Sequence, residues 1–123
     1  MDVCIFGSRE FDNYELLEYA LDEYGKKHRI DTIISGCAKG ADSLGELYAE
    51  RHNIKIDKNP ADWERFGKSA GYRRNGIMAK KCDSAIAFWD GESKGTKHMI
   101  DYVKSLGKPC YVIEYKDYEE SDN

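Results

Sequence analysis

The chain is short of proline, has no clustered cysteine or histidine, carries no net basic charge and lacks any long apolar run. Only Pro60 and Pro109 are proline. No apolar stretch approaches the ~20 residues that a bilayer-crossing helix needs. The N-terminus enters a strand-like run at once, so no secretory leader is expected. These features lead us to expect a soluble, cytoplasmic protein. Cys4, Cys37, Cys82 and Cys110 are too far apart for a CxxC redox or zinc-finger spacing. They are expected to be small buried thiols in a reducing compartment. His28, His52 and His98 form no HxxxH or HxE pattern, so no metal is expected. A Gly-x-Ser-x-Gly elbow and a GxxxxGK[ST] loop are both missing, which excludes a hydrolase of that motif and a P-loop. The net charge is -4, and four acids lie in the last seven residues, so the rest is formally neutral. Duplex nucleic acid, which is bound through a net basic footprint, is therefore not the expected partner.

What the chain does contain is an alternation. Apolar runs at 3–6, 32–34, 54–57, 84–88 and 110–113 read as strands. Several are continuously apolar, as in strands buried on both faces of a parallel sheet. Between them lie amphipathic patterns at 13–24, 42–52, 68–81 and 96–106. Asp12 or Asn13 is positioned to cap the first helix, and Gly107 with Pro109 ends the last. The order β-α-β-α-β-α-β-α-β, in one domain spanning 1–115, predicts a three-layer, Rossmann-like α/β fold. The expected sheet has five mainly parallel strands in the order 3-2-1-4-5. Residues 59–67, with Pro60, Trp63 and Phe66, form the longest irregular connection, either a lid over a site or a packed surface loop. Residues 116–123 read as an acidic, flexible tail.

Three strand ends run straight into glycine and a helix: Gly7-Ser8-Arg9, Ser35 to Asp42, and Trp89 to Thr96. In an open α/β sheet, ligands bind beyond the carboxyl ends of the strands, where the strand order reverses. The order 3-2-1-4-5 would bring all three turns to that crevice. Glycines 7, 36, 40, 91 and 95 allow close backbone approach, and helix N-termini favour anions. Ser8, Ser93 and Thr96 add hydroxyls; Arg9, Lys39 and Lys94 add charge. Gly36-x-x-x-Gly40 and Gly91-x-x-x-Gly95 are weak signals singly; their number carries the argument. On the helix at 68–81, Arg73 and Arg74 point about 100° apart, so at most one of them is expected to enter the crevice. Arg74 and Asn75 would then sit at its rim, the arginine as a fork for phosphate or carboxylate. Asp42 and Asp90 stand at strand ends. Either could accept from ribose hydroxyls or act as acid or base, and Asp42 could equally cap its own helix.

Four motifs together resemble the SLOG superfamily, the Rossmann-like group of the DNA-processing protein and the Lonely Guy enzymes. They are Gly7-Ser8-Arg9-x-Phe11, Ser35-Gly36-x-Ala38-x-Gly40-Ala41-Asp42, Ala70-Gly71-x-x-Arg74-Asn75-x-x-Met78 and Gly91-x-Ser93-Lys94-Gly95-Thr96. The similarity runs from Val3 to about Ile113 and is nearest to the small YspA-like, YpsA-related bacterial and phage branch. It implies a nucleotide or nucleotide-derived ligand, such as an ADP-ribose derivative, to be sensed or sequestered. The residues it implies are Gly7, Ser8, Arg9, Gly36, Gly40, Asp42, Arg74, Asn75, Gly95 and Thr96. One departure matters. The Lonely Guy phosphoribohydrolases follow their Gly-Thr pair with a catalytic glutamate, whereas here Lys97-His98-Met99 follows and the first acid is Asp101. Capture without cleavage is therefore the leading expectation. The alternative is an N-glycoside or nucleotide hydrolase using Asp90 or Asp42. A nucleic-acid accessory module is a weaker third, and a homodimer would be unsurprising in so short a domain.

Overall fold

The continuous apolar runs form a single sheet. Its strands are β1 (Asp2–Gly7), β2 (Thr32–Ser35), β3 (Lys55–Lys58), β4 (Ser84–Trp89) and β5 (Cys110–Glu114). The computed structural model, which describes residues 1–120, places them in the order β3-β2-β1-β4-β5, with every neighbouring pair parallel. The expected order holds, and the sheet is wholly rather than mainly parallel. The helices in chain order are α1 (Tyr14–Gly25), α2 (Ala41–Arg51), α3 (Trp63–Phe66), α4 (Ala70–Lys81), α5 (Lys94–Ser105) and α6 (Tyr115–Glu120).

Strand alternation divides the core into two layers. Val3, Ile5, Ile33, Ile86 and Phe88 pack with Leu17, Leu21 and Ala49 from α1 and α2. Cys4, Phe6, Ile34, Ala85 and Ala87 face the other way, against Met78, Met99 and Val103 from α4 and α5. Helices thus cover both faces, which is why β1 and β4 read as unbroken apolar runs. Asn13 caps α1, its Oδ1 accepting from the Leu16 N–H at 3.1 Å. No helix among the described residues is long and apolar enough to cross a membrane.

Two expectations are corrected. The connection at 59–67 is not irregular throughout: Asp62 caps α3 by accepting from the Arg65 N–H at 3.1 Å, and a 3-10 turn at Gly67–Ser69 leads into α4. A four-residue helix is too short to show an apolar period. The chain beyond β5 also continues as α6, with Tyr115 buried and its ring 4.7 Å from Phe11. The end of the expected tail, residues 121–123, lies outside the described residues.

Candidate functional site

The crevice begins where β1 and β4 end side by side. Gly7 pairs in register with Phe88, and a Cβ on Gly7 would overlap the Phe88 carbonyl oxygen. Only glycine lets the two backbones close up here. The next residue, Ser8, is buried and ties three elements together. Its N–H donates to the Phe88 carbonyl at 2.9 Å, its carbonyl accepts from the Ala41 N–H at 3.4 Å, and its Oγ accepts from the Asp90 N–H at 3.1 Å. The start of α2 meets this turn through Gly40, whose φ of +80° and ψ of −126° suit glycine alone. A side chain there would run into the Ser8 carbonyl and stand 2.6 Å from that of Arg9.

Gly40 is therefore the N-cap of α2, and the alternative that Asp42 caps this helix is corrected. Asp42 lies one step inside it, 4% exposed, and its Oδ2 accepts from the Ala38 N–H at 3.3 Å. Burial pushes the Asp42 carboxyl up to about 6; the Ala38 N–H and the Arg74 guanidinium only partly oppose this, and Glu46 adds to it. A carboxyl poised near neutrality on a cleft wall is suited to proton transfer. Asp90 is the opposite case. Burial alone would raise it, but its Oδ1 accepts from the N–H groups of Ser93 (2.7 Å) and Glu92 (2.9 Å), and these hold it below the usual range. It is a fixed anion that shapes the turn before α5.

Of the two adjacent arginines, Arg74 enters the crevice. Its Nη1 donates to the Gly36 carbonyl and its Nε donates to Asn75 Oδ1 at 3.2 Å. Gly36 has no room for a side chain, since a Cβ would stand 2.7 Å from Arg74 Nη1 and 2.8 Å from Asp42 Oδ2. Arg73 turns the other way, its guanidinium 4.5 Å from the Phe66 ring centre. Buried Asn75 reaches across to α5, with its Nδ2 3.5 Å from the Gly95 carbonyl and 3.4 Å from His98 Nδ1. The first intrahelical bond of α5 runs from the Lys97 N–H to the Ser93 carbonyl. The N–H groups of Lys94, Gly95 and Thr96 precede it and have no acceptor within the helix. Ser93 Oγ and Thr96 Oγ1 lie 3.1 Å apart at the same end.

These parts enclose two adjoining hollows of about 470 and 550 Å³. Of the residues singled out in the sequence, Gly7, Ser8, Asp42, Asn75 and Asp90 line the first, as do Ser93, Gly95 and Thr96. Gly36 and Lys39 line the second, and Arg9 and Arg74 line both. The remaining candidates line neither hollow. Ser35 is buried and donates to Glu46 at 2.7 Å, and Trp89 donates to the Ser93 carbonyl at 3.0 Å. Gly91 supplies a positive φ of +85°, Gly40 joins α2 to the Ser8 turn, and Lys94 is exposed. Sequence reasoning missed Trp63, on the wall of both hollows, together with Lys68 and Tyr72 on the first. The aromatic content of residues 59–67 was the available signal. Cys37 corrects the expectation of buried thiols: it is exposed in the turn beyond β2, with φ +63°, and faces the second hollow.

A wholly parallel five-stranded sheet with its cleft at the strand-order reversal defines a Rossmann-like α/β domain. Comparison with known proteins gives the family. The model of the YspA, cpYpsA-related SLOG family (YAcAr) matches residues 1–66. The chain is also 33% identical over 122 residues to the Gene 61 protein of Mycobacterium phage D29, covering 94% of this chain and 96% of that protein. The chain belongs to the YspA, cpYpsA-related SLOG family. That membership is consistent with a nucleotide-related ligand or a Lonely Guy-like function.

Proposed function

We propose that the cleft captures a nucleotide or nucleotide-derived molecule of the ADP-ribose type in the cytoplasm, holding it by its phosphate without turning it over. The observation that carries this reading is the convergence of Arg74 with the open start of α5 on one hollow. A guanidinium tethered by the Gly36 carbonyl and Asn75 is oriented before the ligand arrives, so little side-chain freedom is lost on binding. The N–H groups at the start of α5, with the Ser93 and Thr96 hydroxyls, supply the remaining donors that a phosphate needs. Arg9 and Lys39 add charge at the mouth. The acid that Lonely Guy enzymes carry after Gly-Thr is replaced by Lys97, which favours capture. Calorimetry with ADP-ribose, its cyclic isomers, AMP and GTP tests the reading, with Arg74→Ala as control. Binding that Arg74→Ala abolishes supports it; no heat from any of the four with folded protein refutes it.

A second reading, hydrolysis of an N-glycosidic bond, is favoured by one observation: Asp42 lies on the cleft wall with its carboxyl raised to about 6. In such a reaction water adds to the sugar carbon as the bond to the base nitrogen breaks, and an adjacent carboxylate stabilises the positive charge that develops. Asp90, held by two backbone N–H groups, is the weaker candidate. Incubation with AMP and NAD followed by chromatography separates the readings. Base release abolished by Asp42→Asn favours hydrolysis; intact nucleotides exclude it for those substrates.

A further inference from the structure

We infer that Trp63, with Tyr72 beside it, is the surface on which the ligand's aromatic base stacks, so that the site selects base-bearing nucleotides over sugar phosphates. This inference rests on the phosphate-binding reading above and extends it to the other end of the ligand. Trp63 is 50% exposed, yet it lines both hollows. Little of the core depends on it. An indole left half in water forgoes much of the burial that normally stabilises tryptophan, unless a flat partner completes the contact.

The wall that carries the ring is braced rather than loose. The ring edge rests on α4 at Gly71, where an added Cβ would stand 3.4 Å from Trp63 Cη2. Phe66, one turn further along, lies beneath the guanidinium groups of Arg65 and Arg73 at 5.0 and 4.5 Å. The Arg73 Nε also donates to Ser69 Oγ at 3.0 Å, tying the 3-10 turn to α4. Of the two alternatives for residues 59–67, a packed segment describes this geometry better than a moving lid. Tyr72, 49% exposed, also lines the first hollow and is backed by His98, stacked at 4.1 Å with the planes 26° apart. His98 in turn touches Asn75, which reaches Gly95. The aromatic wall is thus fixed relative to the start of α5. A ligand held there by its phosphate has a planar, apolar surface within the same hollow for its base. Stacking of this kind tolerates any base, because every base has a π-face.

AMP and ribose 5-phosphate share the sugar and the phosphate and differ in the base, which makes them the discriminating pair. Calorimetry on the wild type, Trp63→Ala and Trp63→Phe tests the inference. The wild type should bind AMP at least tenfold more tightly than ribose 5-phosphate. Trp63→Ala should weaken AMP by roughly 5- to 100-fold and leave ribose 5-phosphate within about twofold, while Trp63→Phe keeps part of the AMP preference. Equal binding of the two ligands by the wild type, with Arg74→Ala abolishing both, overturns the base platform and leaves the phosphate site standing. A Trp63→Ala loss that is the same for both ligands also overturns it, since it marks a structural role. Failure of both ligands to bind the folded wild type overturns this inference, and the phosphate reading falls with it only if ADP-ribose, its cyclic isomers and GTP also give no heat.

Discussion

Replacing Asp42 with asparagine is expected to stabilise the protein at neutral pH, although it removes a charge next to an arginine. The Asp42 carboxyl is raised from an ordinary 3.8 to about 6 in the fold. Between those values the folded state holds a proton that the unfolded chain has released, so stability falls as pH rises through this window. Above about pH 6 the folded protein carries the whole cost of a buried carboxylate. A gap of roughly two units at 1.36 kcal/mol each gives about 3 kcal/mol. That net figure already includes the attraction of Arg74 and the Ala38 N–H bond, which both oppose the shift. Asparagine keeps an oxygen for the Ala38 N–H and carries no charge. Urea unfolding at pH 7.5, 6 and 4 should show the variant about 2–3 kcal/mol more stable at pH 7.5, with the difference shrinking towards zero at pH 4. The difference between the two proteins isolates Asp42 from other titrating groups. A pH-independent difference, or a less stable variant at pH 7.5, would refute the reasoning. A buried carboxyl that costs stability on a cleft wall is the pattern that functional groups show more often than structural ones.

Other substitutions separate residues that build the fold from residues that face the cleft. Gly40→Ala should lose at least about 3 kcal/mol, from backbone strain at φ +80° and the collision with the Ser8 and Arg9 carbonyls. For a chain of this length that is a fall of roughly 12 °C in Tm, readable by calorimetric scanning; a fall under 3 °C would contradict it. Gly95→Ala meets no atom within 4 Å in a helix, so a gain of about 0.4–1 kcal/mol is expected, together with weaker AMP binding if the phosphate approaches that backbone. Ser8→Ala leaves the Asp90 N–H without its acceptor and should cost about 1–3 kcal/mol in urea unfolding. Native thiol titration should find one fast cysteine, Cys37, because Cys4 and Cys82 are buried and burial pushes the Cys110 thiol up to about 11; two or more fast thiols would argue against the packing of β1, β5 or the end of α4.

The sheet was legible because its inner strands β1 and β4 are buried on both faces, so their apolar runs stand out against the helical periods around them. Strand order was not legible in the periodicity, which carries no pairing information; it was assumed with the fold class, and the meeting of the glycine turns followed from it. Arg74 was separable from Arg73 because a helix turns neighbouring side chains about 100° apart, and Arg73 indeed lies over Phe66 instead. Three further matters were not legible. α3 is shorter than one apolar repeat. The capping of α2 went to Gly40 rather than Asp42 because Ser8 lies against the chain at that point, a tertiary contact between residues 32 positions apart. The role of Ser35 depended on Glu46, one turn into α2, being turned back to meet it at 2.7 Å.

The two carboxylates at the strand ends look interchangeable in sequence, and the structure sets them far apart in chemistry. Asp90 is bound by the backbone it shapes: with Ser93 and Glu92 donating to one oxygen, protonating it would break the turn that presents the start of α5. A group in that position cannot cycle a proton without disturbing the site it belongs to. Asp42 accepts a longer bond from the Ala38 N–H, with the Gly36 backbone N–H also turned to it, and sits close to Arg74 without forming an ion pair, so its charge can change without disturbing the turn before α5. An anionic ligand arriving at Arg74 would draw on the same guanidinium that now helps to keep Asp42 ionised, and the carboxyl would then hold its proton more firmly. A protonated Asp42 can donate a hydrogen bond to a phosphate or ribose oxygen where an ionised one would repel it. The elevated carboxyl therefore suits capture of an anion as well as it suits catalysis. Its presence does not on its own argue for turnover; the residue that follows Gly95-Thr96, Lys97 in place of an acid, is what separates the two.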